Sequence, residues 1–352
     1  MMYFDKQFEK GLNGVNHKAQ YAHVVTQRNQ FNAGNKSFVQ NNKHVTGFVG
    51  NASAIIPQDV YREFDMQPRV LARADNLVLL NDLMSFGRSL PVGKIEYTYR
   101  KTGDAGVVKT SITGQIPTEL DKTPYSYASA IKVMHDAGFG RGWMEMEGQR
   151  SEGFDGLIDD NANVTRNVLT SLANHVYNGV GETFNGTAAV GIKNSTAVQS
   201  VDLDASDLNV DFTTAAGSAA RTGFIKLVDK LRITNNASGK ITFYISREIG
   251  SNFQNHYNAN DVGYGTILED LKRLSGVADI KEDASLSGNE VVGVILDSQY
   301  IQLLSGMAVN TVPMFRGNPR DNYNFMVSAN AGLVIRTDYA GQKGVLYARA
   351  IS

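Results

Sequence analysis

Cysteine is absent from all 352 residues. Disulfides, thiolate zinc sites, iron–sulfur clusters and cysteine nucleophiles are therefore excluded together. An excess of one charge sign is missing too. The net charge of −1 at pH 7 leaves no whole-molecule attraction to nucleic acid or anionic membranes. No apolar run approaches the ~20 residues that cross a bilayer. The opening "MMYFDKQFEKGLNG" has no basic stretch followed by an apolar one, so no secretory leader is expected.

Catalytic and ligand motifs are also missing. A phosphate-binding loop needs a second Gly before Lys-Ser, and Asn35-Lys36-Ser37 carries Asn in that place. The glycines of "GFGRGWMEMEG" (138–148) lack dinucleotide-loop spacing and read as a bend leading to a strand at Trp143. "DLDASDLNVDFT" imitates a calcium loop at Asp202, Asp204 and Ser206. Asp207 stands where the turn needs Gly, and Thr213 where a bidentate Glu belongs. The six histidines have no metal-binding spacing, and His175 reads as a surface residue on the polar side of a helix. No G-x-S-x-G elbow occurs, and Asp159-Asp160 and Glu269-Asp270 are adjacent helical residues that do not face one another. Basic and aromatic residues are not interleaved as in single-strand binders. No catalytic residue, metal or cofactor is expected.

What is present is an ordinary globular composition, 42% hydrophobic and 20% charged, long enough for two domains or one large domain with extensions. No repeat of fixed period is visible. Residues 1–50 are rich in Asn and Gln and read as an extended arm. Lys6, Lys10, Lys18, Arg28, Lys36 and Lys43 face only Asp5 and Glu9 there. That bias fits a solubilising tail as well as a contact surface. A short helix is expected after Pro57, and an apolar segment follows at Val78–Leu83. "IEYTYRKTGDAGVVKTSITGQ" (95–115) then reads as a hairpin between Pro91 and Pro117. Ile95, Tyr97 and Tyr99 lie on one face of its first limb, and Val108, Thr110 and Ile112 return. Such a ribbon must pack its apolar face on something to be stable in water.

Within Ser151–Gly179, Val164, Val168, Leu172 and Val176 recur four residues apart, which predicts a long helix ending at Asn178-Gly179. A narrow stripe of this kind suits a helix laid across a sheet. Strand-like and helix-like segments then alternate. "SAARTGFIKLVDKLRI" reads as a helix, "KITFYISR" as a strand, "YGTILEDLKRL" as a helix, and "GVADIKED" and "EVVGVILD" as strands. "SQYIQLLSGM" reads as a helix capped by Ser298. The end, "NYNFMVSANAGLVIRTDYAGQKGVLYARAIS", is strand-rich.

This order of elements resembles the major capsid proteins of tailed double-stranded DNA bacteriophages, whose Hong Kong-97-like fold is shared with encapsulins. Three stretches carry the likeness: "LANHVYNGVG" followed by "GIKN" (191–194), "VVGVILDSQYIQLLSG", and "LVIRTDYAGQKGVLYARAI". The resemblance implies an α+β fold with an N-terminal arm (1–50), the start of a peripheral domain (51–90) and an extended β-hairpin loop (91–120). The peripheral domain would continue through 121–190 with a spine helix at about 151–178. An axial α/β domain (191–312) and closing strands of the peripheral domain (313–352) would follow.

The implied role is structural: self-assembly into hexamers and pentamers of an icosahedral shell around double-stranded DNA, assembled in the host cytoplasm. The alternative is an encapsulin-like compartment packaging a cargo enzyme. Ile95, Tyr97, Tyr99, Arg100, Lys101, Asp104, Val108, Lys109 and Ile112 of the loop would contact a neighbouring subunit. Val164, Val168, Leu172 and Val176 would pack the spine helix. The arm is too short for a scaffolding segment and lacks heptads, so any scaffolding would be a separate protein; separate portal and decoration proteins are further candidate partners. DNA would be bound without sequence specificity. The asparagine and glutamate that a lysine cross-link requires have no match here, so no cross-link is expected.

Overall fold

The computed structural model describes residues 22–23, 25–33, 76–113, 120–151, 155–204, 208–258 and 261–350. Residues 1–72 and 73–352 form separate units. In the first, residues 25–33 form an almost wholly exposed helix, α1. An extended chain is expected there, but "VTQRNQFNA" holds no helix breaker before Gly34. The rest of the arm, the helix expected after Pro57 and Ser206 of the calcium-like loop lie outside the described residues.

The second unit runs α2 (Val78–Met84), β1 (Arg88–Ser89), β2 (Glu96–Thr102), β3 (Tyr125–Ile131), β4 (Val133–Arg141), α3 (Trp143–Ser151) and α4 (Gly156–Asn178). Next come β5 (Val180–Phe184), β6 (Thr187–Ala189), β7 (Gln199–Asp202), α5 (Gly217–Arg232), β8 (Ile241–Ile245) and α6 (Arg247–Phe253). It closes with β9 (His256–Asn258), β10 (Asp261–Thr266), α7 (Ile267–Lys272), β11 (Val277–Glu282), β12 (Glu290–Val294), β13 (Ile301–Pro313), β14 (Tyr323–Ile335) and β15 (Val345–Arg349).

Two sheets organise it. One has the order β1-β13-β14-β4 and the other β11-β8-β12-β15-β7. The five-stranded sheet is mixed: β11 runs parallel to β8 and β7 parallel to β15, while β12 is antiparallel to β8 and β15. Both of its faces are covered. Ile241, Phe243, Ile245, Val291 and Leu346 pack with α5, α6 and α7 residues such as Phe224, Leu227, Phe253 and Leu271. Tyr244, Val292, Val294, Val345 and Tyr347 turn the other way, into a cluster shared with α2, α4, β13 and β14. Burial on both faces explains why "ITFYI" and "EVVGV" are near-continuous apolar runs rather than alternating ones.

The long helix α4 begins where Asp155 accepts a hydrogen bond from Leu157 N and ends at Gly179, with φ of +72°. Its buried stripe includes Val168, Leu172, Ala173, Val176 and Tyr177, with Val164 partly buried against the same cluster. It lies on β4 and β14. The helix starts later than the expected residue 151. Trp143 also begins a helix, not a strand, because β4 has already ended at Arg141. Gly138 and Gly140, expected to form a bend, sit inside β4, and Gly142 separates that strand from α3. At Gly140 a Cβ would lie 2.9 Å from Tyr323 O on the paired strand, so that close approach needs glycine.

"SQYIQLLSGM" is corrected from helix to strand. Only one helical turn forms, where Asp297 O accepts from Ile301 N and Asp297 Oδ1 from Gln299 N. β13 then runs thirteen residues, antiparallel to β14 and parallel to β1. Ile301 and Leu303 enter one cluster and Leu304 the opposite one, so burial on both strand faces mimicked helical spacing.

Candidate functional site

The ribbon leaves the four-stranded sheet at β2 and returns at β3. Its pairing differs from the expected hairpin. β2 pairs antiparallel with β3, from Glu96↔Ile131 to Thr102↔Tyr125, and Val107–Ile112 is not a strand. Val108, Lys109 and Ile112 therefore sit on a tip spanning 103–124 instead of a returning limb; residues 114–119 lie outside the described residues. "YSYASAI" makes the better partner because it brings matched cross-strand pairs. Arg100 lies over the Tyr125 ring at 4.9 Å, and the Thr98 and Ser129 hydroxyls are 2.9 Å apart. At the end of the ladder, Gly103 N donates to Pro124 O at 2.9 Å. A Cβ on residue 103 would come within 2.7 Å of Pro124 Cγ and 3.0 Å of the Tyr339 ring.

The lower half of β2 packs on its own chain. Tyr97 and Tyr99 join Ala130, Leu304 and Val334 in a small apolar cluster on the sheet face opposite α4. Tyr99 OH donates to Ile335 O at 3.2 Å, Lys101 Nζ donates to Thr337 Oγ1, and Arg336 donates to Tyr97 OH at 3.2 Å. The Arg336 guanidinium also stands 5.4 Å from the Tyr99 ring centroid, and Arg88 stands 5.0 Å from that of Tyr97. Burial raises the Tyr99 pKa above its ordinary value. Tyr97, Tyr99 and Lys101 are thus engaged intramolecularly, whereas the sequence reading offered them to a neighbour.

The tip is different. Val108 is 90% exposed, Ile112 and Leu120 are fully exposed and Val107 is also open; on the neighbouring strand β3, Tyr125 and Tyr127 are exposed too. Ile95, at the base, is exposed as well. Asp104 Oδ1 accepts from the next backbone N–H, at 2.9 Å.

A second feature escaped the sequence reading. His175 is 3% exposed and packs against His135 of β4, with Nε2 of His135 3.2 Å from Nδ1 of His175. Ser171 Oγ lies 3.0 Å from His135 Nδ1, and His175 Nε2 is buried without a partner among the described residues. Burial, then the neighbouring His135, pushes the His175 pKa down to about 4; burial also lowers that of His135. The signal available in sequence was the period-two pattern of β4, which sends His135 to the same face as Phe139. Among the described residues no three His, Asp or Glu cluster to hold a metal, and no helix is long and apolar enough to cross a membrane.

Two carboxylates, the buried Asp283 and the partly exposed Asp82, tie α2 to the rest of the unit. Asp283 accepts from Tyr177 OH at 2.9 Å and Leu79 N at 3.2 Å, and Asp82 accepts from Tyr244 OH at 2.6 Å and Lys281 Nζ at 2.7 Å. Burial and the adjoining carboxylates raise the pKa of both tyrosines far above the usual phenol value, so both remain hydrogen-bond donors.

The mixed α+β fold, with a two-stranded ribbon, a long helix on a four-stranded sheet and a second, helix-covered sheet, resembles Hong Kong-97-like capsid structures. The capsid of Myoviridae phage XM1 matches at TM-score 0.66 and 10% identity, covering 85% of this chain and all of that one. The capsid of the native GTA particle matches at 0.58 and 10%, covering 88% and 100%. A structure of Gordonia phage Cozz matches at 0.56 and 10%, covering 86% and 93%. By sequence the chain belongs to the family of unknown function DUF6260, which matches residues 51–348. No curated protein matches it in sequence.

Proposed function

We propose that this chain is the shell subunit of a virion capsid, self-assembling into hexamers and pentamers that enclose double-stranded DNA, with a structural and non-catalytic role. The observation that carries this reading is the ribbon, fastened to its own sheet at the root and bare and apolar at the tip, on a fold otherwise matched along most of its length by phage capsids. A lone two-stranded ribbon is marginal in water, and exposed Val107, Val108, Ile112 and Leu120 need a cover. A neighbouring copy supplies one, and repeated heterologous contacts of this kind close into shells. Residues 191–312 are assigned to an axial domain and 121–190 with 313–352 to a peripheral one. The cationic bias of the arm suits an inner face near DNA.

Negative-stain microscopy of the expressed chain, with and without its scaffolding partner, tests the reading. Closed particles of uniform size are expected, with DNA in particles recovered from infected cells. Monomers at every concentration with scaffold present would sink it, and shells filled with one protein cargo would replace it with the compartment reading.

A further inference from the structure

Lys132 is the single residue between β3 and β4, where the returning limb of the ribbon crosses from one sheet into the other. It is only 4% exposed. Among the described residues no carboxylate pairs with it. Its ammonium instead donates to three successive carbonyls, Pro91 O at 2.8 Å, Val92 O at 3.2 Å and Leu90 O at 3.4 Å. Those residues are where the outgoing limb departs, and the segment is itself pinned to β13 by Leu90 N donating to Ser305 O at 2.9 Å. The Lys132 backbone N–H donates to Ile95 O at 3.1 Å, on the same limb. Gly306 of β13 completes the enclosure, since a Cβ there would lie 2.3 Å from Nζ.

A buried charge without a counter-ion is costly unless fixed dipoles replace its water, and here the carbonyls do so. The compact three-donor ammonium suits that cage; a planar guanidinium does not. Burial lowers the Lys132 pKa, so the group is held against a penalty.

We infer that Lys132 clamps both roots of the ribbon to the four-stranded sheet and so fixes the angle at which the ribbon projects. It is a positioning residue for assembly: pivoting either limb breaks charge-assisted bonds to the other. The assembly consequence rests on the shell reading above; the clamp itself does not.

The test replaces the ammonium by an apolar chain of similar length, Lys132→Met, in the full-length protein and follows amide hydrogen exchange. Exchange of the Lys94 amide, bonded to Pro91 O, and of the Lys132 amide should quicken at least tenfold, while amides of β8 and β12 stay as protected as in the wild type. Gly306→Ala keeps the lysine but displaces Nζ, and should loosen the same amides; it decides the matter if Lys132→Met does not fold. Both variants should give misassembled shells or none. Unchanged exchange at Lys94 and Lys132 in the folded variants overturns the clamp. If the wild type itself never forms shells, the shell reading fails while the exchange data still judge the clamp.

Discussion

The root and the tip of one ribbon obey opposite rules. At the root, each large side chain of β2 that faces the sheet has a partner on its own chain: Tyr97 and Tyr99 among Ala130, Leu304 and Val334, with Arg336 and Ile335 satisfying their hydroxyls. Beyond Gly103 the chain carries no described secondary structure until Tyr125, and its apolar side chains stand in solvent. Apolar residues at the root therefore serve folding. Those at the tip stand exposed among the described residues, and under the shell reading a neighbouring copy supplies their cover.

The largest expected effect separates these two roles outright. Replacing 105–112 by a short Gly-Ser segment should leave the thermal midpoint of the unassembled protein within about 2 °C of wild type, since surface changes are usually within about 0.5 kcal/mol. The same change should abolish particles in sedimentation. Particles of normal size from the truncated chain would make the tip incidental. A cut reaching back into Tyr99 or Lys101 would confuse the two roles, because those residues belong to the root.

Acid should spare the tip and act instead on the α4 side of the four-stranded sheet. The folded state holds His175 at a pKa of about 4 against an ordinary 6.5, so the unfolded chain binds its proton first. Stability is full above pH 6.5 and falls as pH drops towards 4. At about 1.4 kcal/mol per unit, the loss is about 2 kcal/mol between pH 7 and 5, with His135 adding in the same direction. The Lys193–Glu290 pair does not interfere in that window: burial pushes the Glu290 pKa up, but the bonds from Lys193 and Tyr347 outweigh it and hold it below the ordinary carboxylate value. Urea unfolding at pH 7 and 5 measures the drop, and His175→Phe should flatten it. An equal drop in that variant would move the acid sensitivity elsewhere.

Much of the architecture was written in local pattern. The α4 stripe was legible because Val168, Leu172 and Val176 face one side over several turns, and β8 and β12 because a doubly covered strand needs an unbroken apolar run. What misled was pattern whose meaning depends on a distant partner. Ile301, Leu303 and Leu304 look helical until β14 on one side and β1 on the other claim the segment as a strand. Val107–Ile112 alternates well enough for a strand, but pairing went to Tyr125–Ile131, where Arg100 and Thr98 find partners. His175 reads as polar surface until His135, forty residues earlier, closes over it. For the site, sequence located the ribbon but not its division, because that boundary is drawn by Ile335–Thr337, more than two hundred residues away.

The smallest effect tests that boundary most finely. Tyr99→Phe removes one hydroxyl and keeps the ring beside Arg336 and Lys101, so the bond to Ile335 O and the hydroxyl's interactions with Thr337 are lost. A typical net hydrogen bond is worth about 1 kcal/mol, and the half-buried carbonyl left behind argues for no less. Val108→Thr makes a comparable one-group change on the tip and should cost nothing measurable in the unassembled protein, within about 0.5 kcal/mol. Urea midpoints at constant slope compare the two directly. If the two substitutions shift the midpoint equally, the root is no more part of the folding core than the tip. A shift confined to Tyr99→Phe places the division between folding and docking inside a single ribbon, between Thr102 and Val107.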